Sequence, residues 1–106
     1  MCVIELVRFS VKQSITEEHL QSLSVDFEKS LKKYAPGFIQ RTLAKDIASN
    51  VWIELIWWDS IDAAHSALDI ITKTSEFDRY CSALVDDGGN DIEYFKLLSR
   101  KLDGVY

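Results

Sequence analysis

Trp52-Ile53-Glu54-Leu55-Ile56-Trp57-Trp58-Asp59-Ser60-Ile61-Asp62-Ala63-Ala64 is the stretch whose reading decides the fold. Up to Trp58 it is almost entirely β-branched, aromatic or aliphatic, the composition of a strand, and residues 51–58 are read as one. Asp59 or Ser60 then caps a helix. Side chains alternate along a strand, so Val51, Ile53, Leu55 and Trp57 share one face while Trp52, Glu54, Ile56 and Trp58 share the other. Both faces are apolar, apart from Glu54. An antiparallel sheet with one wet face alternates apolar with polar residues, so this strand predicts a sheet covered on both sides.

Outward from this stretch the chain alternates periods. Residues 2–11 read as a strand, with Ile4 and Leu6 on one face and Val3, Val7 and Phe9 on the other. After a short connection at 12–15, Leu20, Leu23, Phe27, Leu31 and Tyr34 recur at helical steps behind a Thr16 cap, and Pro36-Gly37 ends the helix. Residues 38–45 form a strand that pairs with 51–58 across the polar loop 46–50. The second helix carries Ile61, Ala64, Leu68 and Ile71 until 72–74 interrupts it. Ser75 with Asp78 then caps a short helix bearing Phe77, Tyr80 and Leu84. A loop at 86–90, a last strand at 91–98 and a tail at 99–106 complete the chain.

The order strand, helix, strand, strand, helix, strand is the α+β, ferredoxin-like βαββαβ plan, an antiparallel sheet with its helices on one face. A chain of 106 residues has room for one such domain, core about 3–98. The helices cover one sheet face only. A second copy is the simplest cover for the other, which predicts a homodimer through the sheet faces.

Composition narrows the partners. A formal charge of −5 repels phosphate backbones and anionic membranes, so nucleic acid and membranes are not expected partners. No apolar run approaches the roughly 20 residues of a membrane span. The start Met-Cys-Val-Ile-Glu lacks the basic region and apolar run of a leader, which predicts a cytoplasmic protein. Cys2 and Cys81 fit no CxxC or Cys/His spacing and read as reduced thiols, with no metal or cofactor expected.

Pro36-Gly37-Phe38, followed by Trp57-Trp58-Asp59-Ser60-Ile61-Asp62-Ala63-Ala64, resembles the dimeric α+β barrel superfamily, in particular its antibiotic-biosynthesis-monooxygenase-like domains. The resemblance spans about residues 3–98 and implies the fold and a face-to-face dimer. Activities in the superfamily include cofactor-free oxygenation of aromatic substrates, heme degradation and isomerisation, beside stress proteins. The heme-degrading branch needs an Asn on the first strand, and a Trp and a His at positions that fall near Ala67 and Ser82. This chain has none of them, so heme degradation is disfavoured.

Two carboxylates on apolar strand faces, Glu54 and Glu5, are the anomalies that point to chemistry, because such acids are costly to bury unless paired or hydrated. Sharing one lumen would raise their pKa values toward that of a general base; pairing with Arg8 or Arg41 would make them structural. Glu54 and His65 are the candidate catalytic residues, and Glu5, Phe9, Trp52 and Trp58 the candidate pocket. His65 lies one step off the helical stripe, His19 on the flank of the first helix. The expected function is a small-molecule-binding or stress-response domain. The alternative is a cofactor-independent monooxygenase acting on a flat aromatic or quinone-like molecule, with Glu54 or His65 as base.

Overall fold

The computed structural model describes residues 2–85 and 92–99. The expected loop at 86–90, the first residue of the expected last strand and the tail beyond Ser99 lie outside the described residues. The elements are β1 (Val3–Phe9), α1 (Glu17–Tyr34), β2 (Phe38–Lys45), β3 (Trp52–Trp58), α2 (Ile61–Ile71), α3 (Ser75–Ser82) and β4 (Ile92–Lys96). The four strands form one antiparallel sheet in the order β2-β3-β1-β4. This is the α+β, ferredoxin-like arrangement read from the sequence. No helix among the described residues is long and apolar enough to cross a membrane.

Strand alternation sorts the residues as expected. Val3, Glu5, Val7 and Phe9 of β1 and Trp52, Glu54, Ile56 and Trp58 of β3 are buried beneath the helices. Ile4, Leu6, Ile53, Leu55 and Trp57 lie on the opposite, open face, Leu6 buried and the others half-buried. The ladder sets Glu54 opposite Val7 and Glu5 opposite Ile56, so the two acids are diagonal neighbours on the helix-covered face. That spacing is about 7–8 Å in an antiparallel pair.

Several boundaries differ from the sequence reading. β1 stops at Phe9, and Val11 instead forms an isolated bridge to Leu84, flanked by Lys12 N–H to Ala83 O and Val85 N–H to Ser10 O, each 2.9 Å. Thr74, not Ser75, caps α3: its hydroxyl accepts from Phe77 N at 3.2 Å, and Ser75 is the first helical residue. Ser60 rather than Asp59 caps α2, accepting from Ala63 N. The buried stripe of α2 is Ala64, Ala67 and Ile71, while Ile61 and Leu68 are exposed. Small residues explain the rotation, because α2 comes close to the chain through its alanines. A Cβ placed on Gly37 would meet Ala63 Cβ at 2.6 Å, and Gly37 also holds φ +86°, a value L residues rarely adopt. Tyr34, expected in the stripe of α1, is exposed at the helix end, and Ala35 takes the buried position.

Candidate functional site

Between the sheet and the helices lies a cavity of about 130 Å³. Its floor is β1 and β3, through Val7, Phe9 and Ile56 with Glu5 and Glu54; α1 adds Phe27 and Leu31. From α2 come Ala64, Ala67, Leu68 and Ile71, and from α3 Phe77, Tyr80 and Cys81. The wall is apolar, so each polar group in it calls for a reason.

Glu54 is held by an arginine. Arg41, on the neighbouring strand β2, gives its Nε–H to Glu54 Oε2 at 2.6 Å and adds an ion pair from Nη2. Its Nη1 reaches Ser24 Oγ at 2.5 Å, which explains the buried Ser24 on α1. The guanidinium lies over the Phe27 and Tyr80 rings at 5.0 and 5.3 Å, adding cation–π attraction. Burial raises the Glu54 carboxyl above its ordinary range, with Arg41 and the Tyr80 hydroxyl acting the other way. Of the expected partners, Arg41 is therefore the one engaged; Arg8 pairs with Glu93 on the open face.

Glu5 has no cation. Its Oε1 accepts the Trp58 indole N–H at 3.0 Å, deep in the core. Desolvation, opposed by that hydrogen bond and reinforced by repulsion from Glu54, pushes its pKa up to about 7. Burial raises the pKa of both acids, that of Glu5 without a cation beside it among the described residues. The folded chain therefore keeps a proton on Glu5 that the unfolded chain releases above about pH 4.5, so stability falls as pH rises from 4.5 to 7. Glu5→Gln keeps an acceptor for Trp58 and removes the ionisation. It is expected to stabilise the protein at pH 8 by about 2–3 kcal/mol and to flatten that slope, measured by urea unfolding between pH 4.5 and 8.

Tyr80 is the feature the sequence reading missed. It is 3% exposed, stacks on Phe27 at 5.0 Å and meets Phe9 edge-on. Among the described residues its hydroxyl makes no hydrogen bond of standard geometry, though it lies near enough to Glu54 and Arg41 to bear on both, and burial pushes its pKa upward. A buried tyrosine normally finds a partner. The signal was available in the stripe of the short helix, where a Tyr stands at a position Phe would fill equally well.

The remaining candidates divide. Phe9 and Trp58 both line the cavity. Trp52 does not: it is buried behind Phe9, stacked at 6.4 Å, with its indole N–H on Asn50. His65 is exposed and edge-on to Tyr94 at 5.4 Å, away from the cavity wall. Cys81 lines the cavity, but burial pushes its thiol to about 11, so it remains the protonated, unreactive form. No group of three His, Cys, Asp or Glu side chains capable of holding a metal occurs among the described residues.

Neither a family profile nor a curated protein sequence matches the chain. Solved structures do. A point-mutant form of SnoaB, a cofactor-independent oxygenase from Streptomyces nogalater, superposes with a TM-score of 0.74 at 16% identity, covering 96% of this chain and 98% of that one. A candidate antibiotic biosynthesis monooxygenase from Chloroflexus aurantiacus gives 0.71 at 11% identity, covering 95% and 97%. One from Caulobacter crescentus gives 0.66 at 17%, covering 92% and 91%. At these identities the likeness is one of architecture, and the chain has the α+β fold of the antibiotic biosynthesis monooxygenase-like domains.

Proposed function

We propose that this protein is a small-molecule-binding domain, residues 1–106, whose cavity takes an aromatic ligand, and that two copies pair through their open sheet faces. The observation that carries the binding reading is the Tyr80 hydroxyl, buried in the wall of a largely apolar cavity without a hydrogen bond of standard geometry among the described residues. Cavities of about 150 Å³ lined by aliphatic and aromatic side chains hold benzene, so a volume of about 130 Å³ suits a single ring. A phenol supplies that ring and a hydroxyl to partner Tyr80. Titration calorimetry should show saturable phenol binding that weakens about two- to tenfold in Tyr80→Phe, the usual weight of one hydrogen bond. Equal affinity in the two proteins, or no heat at millimolar phenol, would overturn the reading.

One observation favours a second reading, cofactor-independent oxygenation of a flat aromatic or quinone-like molecule. Glu5 lines the same cavity with a pKa of about 7, suited to taking a phenolic proton at neutral pH. The substrate anion would then supply the electrons and dioxygen accept them. Oxygen uptake with an electron-rich phenol, lost in Glu5→Gln, distinguishes this reading from binding alone.

The dimer rests on the open face. Ile4, Ile53, Leu55 and Trp57 stand there together with Phe95, the ladder partner of Ile4. A bare apolar face of that extent is an aggregation hazard. Sedimentation at micromolar concentration should return twice the 12.1 kDa chain mass; a stable monomer would exclude the pairing. A cytoplasmic setting is consistent with the free thiols of Cys2 and Cys81.

A further inference from the structure

The cavity has a direction. Among the described residues that line it, Leu68 on α2 and Ile92 on β4 are the exposed ones, at 40% and 44%. They form its mouth, and both are aliphatic. Ile92 pairs with Val7, and Val7 pairs with Glu54, so Ile92, Val7 and Glu54 make one row across three strands. With strands about 4.8 Å apart, the mouth stands roughly 10 Å from Glu54. Beyond Glu54 the row continues to Leu43 on β2, and the guanidinium of Arg41, two residues along that strand, reaches across to Glu54; Tyr80 is close enough to both for their charges to act on its hydroxyl. That row therefore has a polar inner end and an apolar, exposed outer end.

A ring in this row fills the cavity. With a ring in place little of a volume of about 130 Å³ remains, so further atoms of the ligand must leave through the mouth, over Leu68 and Ile92. A hydroxyl at the Tyr80 end and an exit at the other lie on opposite sides of the ring. We propose that the ligand is a phenol carrying an alkyl chain para to its hydroxyl, ring enclosed, hydroxyl beside Tyr80 and Glu54, chain emerging between Leu68 and Ile92. This rests on the reading that the cavity takes an aromatic ring, and adds to it the substitution pattern and the character of the substituent.

The test is a calorimetric series of phenol, 4-ethylphenol, 4-butylphenol and 4-hexylphenol, with 2-butylphenol as the misplaced isomer. Each of the first methylenes should tighten binding about two- to fourfold, the range for partial to full burial of a CH₂ group. The ortho isomer should bind no more tightly than phenol. In the doubly substituted Leu68→Ser, Ile92→Ser protein the gain per methylene should fall below about 1.5-fold, as the chain loses its apolar bed. Phenol binding with no gain along the para series, or an ortho isomer equal to the para, overturns this proposal and leaves the aromatic reading standing. No binding by any member of the series overturns both.

Discussion

Trp58→Ala is expected to remove about 3–5 kcal/mol of stability, as for other large aromatics truncated in a core. Trp58 is among the largest fully buried side chains, packs edge-on against Phe38 at 5.9 Å and lines the cavity together with Glu5. Its loss opens a void and also strips Glu5 of the Trp58 indole donor. For a domain of this size the melting temperature should fall by roughly 12 °C or more. The neighbouring Trp57 sits on the opposite face of the same strand, outside this core. A thermal scan of Trp58→Ala matching wild type would mean that the β3 alternation described above is wrong.

Arg41→Met should be comparably destabilising, by about 3–5 kcal/mol at neutral pH, the usual result of stripping one partner from a buried ion pair. The guanidinium side chain is 2% exposed and serves Glu54 and Ser24 together. Without it, Glu54 is left as an uncompensated acid and must take a proton to remain buried. Its folded-state pKa, raised already, then rises further, so the variant's stability should decline more steeply than wild type as pH climbs above about 4.5. Adding Glu54→Met to Arg41→Met should restore most of the loss, since a well-packed apolar pair of similar volume replaces buried ion pairs at little cost. Glu54→Gln alone should cost less than Arg41→Met, because along with the counter-charge of Arg41 it removes a desolvated carboxyl whose folded-state pKa is raised. Urea unfolding of the three variants at pH 5 and pH 8 measures these differences, and an Arg41→Met protein as stable as wild type at pH 8 would rule out the buried pair.

The fold was legible because its signals are local and repeated. A strand apolar on both faces, caps at Thr16 and Ser60, and Pro36-Gly37 at the end of α1 each depend on a few adjacent residues, and each is found where expected. The site was legible only in part. Glu5 and Glu54 stood out as acids among apolar neighbours, and strand parity places both on one face. Which of them would be neutralised could not be read there, because the answer lies with Arg41 on another strand and with the depth of burial. Tyr80 and the mouth residues were missed for a related reason. An unsatisfied hydroxyl is defined by what surrounds it, and Leu68 looked like an ordinary stripe residue until the alanines of α2 turned the helix. His65 and Trp52 were drawn in by residue type, and packing put one at the surface and the other behind Phe9.

The seam between residues 10–12 and 83–85 makes the cavity's breathing lopsided. Two backbone hydrogen bonds tie the end of α3 to the end of β1, and Leu84, the residue between them, is itself part of the cavity wall. To swing α3 outward, the chain must break that seam and unstack Tyr80 from Phe27. Moving Leu68 aside needs only a side-chain rotation at a partly exposed helical position. Thermal fluctuations should then open the molecule on the α2 and β4 side long before they open it at α3. A guest molecule would exchange with water through rotamer motion, on a timescale far shorter than that of any local unfolding.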